Sequence, residues 1–143
     1  MLPVIRDARP ADLEAVLAVD DLAATSPGRA AFIEQAILAR TCLVMEDRGH
    51  ILGYGVLEHS FFSNGFISML YVAGSARRQG VGSALLQALA GRCTTRKLFT
   101  STNTSNRAMQ ALLRQAGFTE SGIVHNLDPG DPEVIYFKPG PRG

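Results

Sequence analysis

Charge of one sign is what this sequence lacks most plainly: fourteen lysines and arginines stand against thirteen aspartates and glutamates, a formal net charge of +1. That balance gives no field strong enough to hold a polyanion, so nucleic acid is not expected as a partner. Long apolar runs are missing as well. No stretch approaches the roughly 18 residues a membrane span needs, and the start, MLPVIRDARP, carries charges where a signal peptide has an apolar core. A soluble, cytoplasmic protein without a membrane partner is expected. Cysteine is scarce: Cys42 and Cys93 lie far apart, in no CxxC and in no Cys/His cluster of zinc spacing. Two reduced, buried thiols and no metal site follow. What remains is 143 residues, 46% hydrophobic and 19% charged, which suffices for one domain with a sizeable core.

The periodicities place the elements. Leu2 to Arg6 reads as a first strand. Pro10 stands at a helix N1 position with Asp12 and Glu14 in the first turn, predicting a helix to about Ala24. Ser26-Pro27-Gly28 breaks it, and a second helix carries Phe32, Ile33, Ala36 and Ile37 on one side. Cys42 to Met45 is an apolar strand ended by Asp47-Arg48-Gly49. Ile51 to Phe62 and Phe66 to Val72 are two more, joined at Ser63-Asn64-Gly65, where Asn-Gly signals a hairpin. Val81 to Leu89 is a helix, Lys97 to Ser101 a strand, and Ser105 to Ala116 a helix stopped by Gly117. Thr119 to Leu127 and Val134 to Phe137 form a last hairpin around a type II turn at Asp128-Pro129-Gly130-Asp131. The order β-α-α-β-β-β-α-β-α-β-β implies an α/β domain of α+β type: one mixed central sheet of about seven strands, flanked by about four helices. The domain covers residues 1–138, and 139–143 read as a frayed, disordered tail.

The chemistry concentrates at Met69 to Ser83, where a strand runs into a basic, glycine-bearing loop that opens a helix. Free N–H groups at a helix start carry partial positive charge. Glycine lets a phosphate approach the backbone closely, and Arg77 and Arg78 add charge and bidentate donors. The expected ligand is a pyrophosphate; the bland alternative is a helix start with solvated arginines. No GxxxxGK[ST] run occurs, and Gly80-Val81-Gly82-Ser83-Ala84-Leu85 fails the last position of GxGxxG.

Arg77-Arg78-Gln79-Gly80-Val81-Gly82 meets the pattern Q/R-x-x-G-x-G/A, and Asn106 opens a helix that ends in Gly117-Phe118. With Arg-Asp-Ala-Arg-Pro before the first helix, the sequence resembles the GNAT superfamily of acyl-CoA-dependent N-acyltransferases. The resemblance implies acetyl transfer from acetyl-CoA to an amine. It implies backbone groups of Leu70, Tyr71 and Val72 for the pantetheine arm and thioester carbonyl. Arg77, Arg78, Gln79, Gly80, Val81, Gly82 and Ser83 would hold the pyrophosphate, and Asn106 would contact the pantetheine or CoA backbone. Family members often form homodimers, and their acceptor sites lie near the first helices and the last hairpin.

One position departs from the family. Many members carry a tyrosine four residues before the glycine of Gly-Phe as acid for the leaving thiolate, and here Leu113 stands there. Tyr71 is the nearest replacement by sequence. The expected base is Glu58 or His59, on opposite faces of one strand, because residues 66–72 hold no carboxylate. Asp20 and Asp21 suit either a cationic amine or a solvated face. His125, Asn126, Asp128 and Asp131 suit either substrate choice or turn chemistry. Two rivals to an enzyme stay open: an acyl-CoA sensor with little turnover, and an interaction module.

Overall fold

In the computed structural model, which describes residues 3–141, the strands are β1 (Val4–Asp7), β2 (Cys42–Asp47), β3 (His50–Phe61), β4 (Asn64–Val72), β5 (Lys97–Asn103), β6 (Thr119–Val124) and β7 (Glu133–Pro139). The helices are α1 (Leu13–Val19), α2 (Pro27–Leu38), α3 (Val81–Gly91) and α4 (Arg107–Gln115). The strands form one seven-stranded sheet in the order β1-β2-β3-β4-β5-β7-β6. It is mixed: β4 and β5 run parallel, whereas β1–β2, β2–β3, β5–β7 and β6–β7 are antiparallel. The expected element order and sheet class are both found. Among the described residues no helix is long and apolar enough to cross a membrane.

The chain folds as two compact units, residues 3–57 with 69–89 and residues 58–68 with 90–141. In the first, Val16 of α1 and Ile33, Ala36 and Ile37 of α2 share a core with Cys42, Val44, Tyr54 and Val56. Leu85, Leu86 and Leu89 of α3 are buried too, each contributing about 1.5–3 kcal/mol by leaving water. Ser26 caps α2 by accepting the Arg29 N–H at 3.3 Å, and Pro27 takes the first helical position, where no N–H is needed. α1 stops at Val19, short of the expected Ala24, and a separate 3-10 turn spans Ala23–Thr25. The cause is Asp20, whose carboxylate turns inward and captures the Leu22 N–H at 2.9 Å.

In the second unit β7 pairs with β5 from Lys97↔Pro139 to Asn103↔Glu133, and β6 lies outside it. Asn106 caps α4 by accepting the Met109 N–H at 3.1 Å. At the other end the Phe118 N–H reaches the Leu113 carbonyl and the Gly117 N–H the Arg114 carbonyl, both at 3.0 Å. That pair of bonds is a Schellman motif with Gly117 at φ +94°. The last hairpin turns where expected, with Gly130 at φ +74° and the Asp131 N–H on the Asp128 carbonyl.

Two more expectations are corrected. The β3–β4 hairpin does not turn at Asn64-Gly65. Its two loop residues are Phe62 and Ser63, both left-handed at φ +50° and +64°, and β4 begins at Asn64. Gly65 is needed inside the strand, because a Cβ there would stand 2.6 Å from Cys93 Sγ. The chain end is also held further than expected. β7 includes Pro139, and Gly140 is buried with its N–H on the Arg96 carbonyl at 2.8 Å. Residues 142–143 of the expected tail, and Leu2 of the expected first strand, lie outside the described residues.

Candidate active site

Beyond β4 the chain makes a 3-10 turn at Gly74–Ala76, anchored by buried Ala73 and Ala76. The Ala73 N–H bonds the Leu52 carbonyl at 2.8 Å, so the turn is pinned to β3. Arg77 is then extended (φ −67°, ψ 151°), Arg78 left-handed at φ +64° and Gly80 left-handed at φ +79°. Nothing lies within 4 Å of where a Gly80 Cβ would sit, so glycine is required there by backbone conformation rather than by space. Arg77, Arg78, Gln79 and Gly80 are all exposed. The first α3 bond runs from the Ala84 N–H to the Gly80 carbonyl at 3.0 Å. The N–H groups of Val81, Gly82 and Ser83 precede it and have no intrahelical acceptor. Expected phosphate residues 77–83 are thus brought together at one helix start, directly after Leu70, Tyr71 and Val72.

The β4 strand has a second property. Its register against β5 runs Gly65↔Leu98, Phe66↔Phe99 and Ile67↔Thr100, and among the described residues goes no further, although β4 continues to Val72. At the last pair the Thr100 hydroxyl donates to the Ile67 carbonyl at 2.8 Å, a side chain acting where the ladder ends. Near the loop, Arg77 Nε lies 3.5 Å from the Val72 carbonyl.

Of the candidate proton-transfer groups, Glu58 is half-buried on β3. Exposed His59 accepts the Thr94 N–H at Nε2, 3.1 Å away, which places the ring proton of the neutral form on Nδ1. The Tyr71 hydroxyl accepts the Asp21 N–H at 3.2 Å. Leu113 is 1% exposed, part of a core. Asn106 is exposed, its Oδ1 used by the α4 cap. On the last hairpin Asp128 accepts from Asn103 Nδ2, while Asp131 accepts from the Thr104 and Ser105 hydroxyls and the Ser105 N–H. Both carboxylates therefore serve as turn and loop anchors. Among the described residues no group of three His, Cys, Asp or Glu side chains is placed to hold a metal ion.

Asp20 is not part of a solvated face: it is 1% exposed. Its Oδ2 accepts from Arg29 Nε at 2.7 Å and from the Tyr54 hydroxyl, and its Oδ1 from the Leu22 N–H. Burial alone would push this carboxyl up; the bonds from Tyr54, Arg29 and Leu22 outweigh it and hold it below the ordinary range. Burial, reinforced by the bond to Asp20, pushes the Tyr54 phenol far above its usual value. Burial works against the Arg29 charge, and Asp20 more than restores it. The group is a buried ion pair completed by a phenol.

A family model for the Acetyltransferase (GNAT) family matches residues 13–118, most of the chain and the whole of the strand–loop–helix segment. The chain belongs to the GNAT acetyltransferase family. A GNAT-family acetyltransferase from Bacillus cereus is 32% identical over 97% of this chain and 98% of its own, with a TM-score of 0.90. Two more distant acetyltransferase structures share the fold. One is a putative acetyltransferase from Salmonella typhimurium solved with its cofactor acetyl-CoA, at 22% identity over 97% of this chain and 94% of its own, TM-score 0.79. The other is the ribosomal-protein-S18-alanine N-acetyltransferase of Escherichia coli, also 22% identical over 97% and 94%, TM-score 0.81. Among curated protein sequences none matches.

Within this GNAT chain, sequence reasoning singled out the loop and missed the buried group. One signal for it exists. Tyr54 interrupts the apolar run Ile51 to Leu57 of β3, and a phenol buried there must find a polar partner. Nothing in the spacing names Asp20 and Arg29 as that partner, because they are 34 and 25 positions away in the chain.

Proposed function

We propose that this GNAT chain moves the acetyl group of acetyl-CoA to a primary amine, on a small molecule or a protein, by direct attack with both substrates bound. The observation that carries the reading is the loop. Four consecutive exposed residues, Arg77 to Gly80, lead into the first N–H groups of α3, which have no intrahelical acceptor, next to a strand whose ladder against β5 has ended. A pyrophosphate has the charge and the acceptor oxygens that such a set takes. Backbone amides from Arg78 to Ser83 hold it, with Arg77 and Arg78 as added donors and Gln79 within the same turn. The backbone of Leu70, Tyr71 and Val72 takes the pantetheine arm. Asn106 contributes its Nδ2 donor, since its oxygen is used by the helix cap.

Acetyl-CoA supplies an acetyl group activated as a thioester. The Val72 N–H donates to the carbonyl oxygen and stabilises the negative charge that develops there, as an oxyanion hole does. The amine nitrogen forms the new bond to the carbonyl carbon while the carbon–sulfur bond breaks. A protonated amine cannot attack, so one proton must first leave it; the nitrogen sheds a second as the carbon–sulfur bond breaks, matching the one the thiolate takes up. Glu58 is the acceptor we favour, through water. His59 is second, because its accepting nitrogen already holds the Thr94 N–H. Tyr71 keeps its own phenolic hydrogen and is the candidate donor to sulfur. The alternative to Tyr71, with Leu113 in place of a tyrosine, is a thiolate that leaves unaided and takes its proton from water, tolerable for a thiol of pKa about 8.5.

The buried Leu113 favours one second reading, an acyl-CoA sensor with little turnover. Thiol release from acetyl-CoA, measured with di- and polyamines, amino acids and peptides bearing free N-termini or lysines, separates the two. Release above the water background with any amine supports transfer. Binding of acetyl-CoA with no release across the panel supports the sensor.

A further inference from the structure

We infer that one face of β5 and β7 receives the acceptor, a small primary amine on a short arm from an aromatic ring, its ammonium on Glu133 and its ring on Phe99 and Phe137. The inference rests on the acetyl-transfer reading and names the acceptor class. Leu98, Thr100 and Thr102 of β5 and Val134 and Tyr136 of β7 are buried, on the face where the Tyr136 hydroxyl donates to Gln110 of α4. Side chains alternate along a strand, so their neighbours point the other way. On that second face Phe99, Ser101, Glu133, Ile135 and Phe137 are all only half-buried.

This face is aromatic at one end and anionic at the other. Phe66 stacks on Phe61 with centroids 4.9 Å apart, Phe61 meets Phe99 at 5.1 Å, and Phe99 meets Phe137 at 5.4 Å. Exposed Phe62 adds its edge to Phe61. These are five of the chain's seven phenylalanines, yet none of the five is fully buried, so core formation alone does not account for them. Two positions beyond Phe99, about 7 Å along the strand, the Ser101 hydroxyl donates to Glu133 Oε2 at 2.7 Å. Ser101 is also the first β5 residue past Thr100, where the ladder with β4 ends. Oε1 of Glu133 is left over, and among the described residues no cation pairs with this carboxylate.

A half-buried carboxylate beside a stripe of rings is complementary to a cation that carries an aromatic body. The ammonium satisfies the charge, and its ring finds π faces and edges to pack on. A peptide fits less well, because its backbone needs further polar partners. Those nearby are committed: Asn103 Nδ2 donates to the Asp128 carboxylate and the Asp131 carbonyl, and the Asp131 carboxylate holds Thr104 and Ser105. Glu133 anchors the nitrogen and leaves the proton transfer to Glu58.

Thiol release and saturation-transfer NMR test this with phenethylamine and cyclohexylethylamine, which share the arm and differ in the ring. In the wild type, KM is expected to be about fivefold lower for phenethylamine. Phe99→Leu removes that preference. Glu133→Gln, which keeps an acceptor for Ser101, raises KM for both amines by about tenfold or more, while kcat, its pH profile and KM for acetyl-CoA hold. Equal KM values in the wild type, or an unchanged amine KM in Glu133→Gln, overturn the inference. So does a fall in kcat with an altered pH profile in Glu133→Gln, which would make Glu133 the proton acceptor. NMR separates the two claims. Phenethylamine that binds, and binds more weakly in both variants, without any thiol release upholds the site and overturns acetyl transfer. Thiol release with other amines and no phenethylamine binding overturns the site and upholds transfer.

Discussion

Arg29 Nε and the Tyr54 hydroxyl donate to the same oxygen of Asp20, Oδ2, in a site where the carboxylate has no exposure. Three elements meet there: the end of α1, the start of α2 and the middle of β3. A carboxylate in that position is stable only while its donors are present. Removing one partner leaves the other charge buried and uncompensated. Arg29→Met is therefore expected to lower stability by about 3 kcal/mol, the low end for a broken buried pair because Arg29 is partly exposed. Urea unfolding measures it, and a loss below about 1 kcal/mol would contradict the ion pair as described.

A second carboxylate gives the acid limb of stability a definite shape. Asp12 is held down to about 2 from an ordinary 3.8, chiefly by the bond from Arg6, aided by the Arg9 N–H and opposed by burial. A folded-state value below the unfolded one means stability fully present above the unfolded value and lost as pH falls toward the folded one. The window is roughly pH 4 down to pH 2, and the loss there is about 2 kcal/mol. Asp20 moves the same way, so the difference between wild type and Asp12→Asn isolates Asp12. Unfolding curves from pH 6 to 2 are expected to be shallower in the variant by that amount.

The β3–β4 turn stores strain that substitution relieves. Phe62 and Ser63 both sit at positive φ, Phe62 with 84% of its surface exposed. Left-handed backbone costs an ordinary residue roughly 1–2 kcal/mol, and Asn-Gly tolerates it. The double substitution Phe62→Asn, Ser63→Gly is expected to stabilise by about 1 kcal/mol, after the edge contact of Phe62 on Phe61 is lost. A thermal midpoint that falls instead would mean that contact outweighs the strain.

Both thiols are buried, Cys42 at 0% and Cys93 at 2% exposure, and burial pushes the Cys42 thiol up to about 12. Neither is poised to react. An aromatic disulfide reagent is expected to label almost nothing in the native protein over minutes and two thiols per chain in denaturant. Fast labelling of the native chain would show that one of these cores opens readily.

The parts of the molecule legible in the sequence are those specified locally. The element order follows from apolar periodicity. The α4 terminus follows from Gly117-Phe118, and the last turn from Pro129-Gly130, because caps and turns are made by residues a few positions apart. The loop from Arg77 to Ser83 belongs to the same class: strand, basic glycine loop and helix are contiguous. What the sequence hides is set by partners far along the chain. Asp20 reads as an acid at a helix end until Tyr54 and Arg29 are brought to it, and only then does α1 stop at Val19. Asn64-Gly65 reads as a turn until Cys93 claims the space beside Gly65. Pro139 and Gly140 read as a frayed end until β5 and Arg96 supply their pairing.

The most direct test of the central claim is calorimetric titration of acetyl-CoA into the wild type and into the double variant Arg78→Glu, Gly80→Glu. The account predicts micromolar binding to the wild type and none to the variant, which reverses a charge and forces a side chain onto a left-handed backbone. A well-folded wild type that binds no acetyl-CoA would contradict it and leave Arg77 to Ser83 as an ordinary helix start.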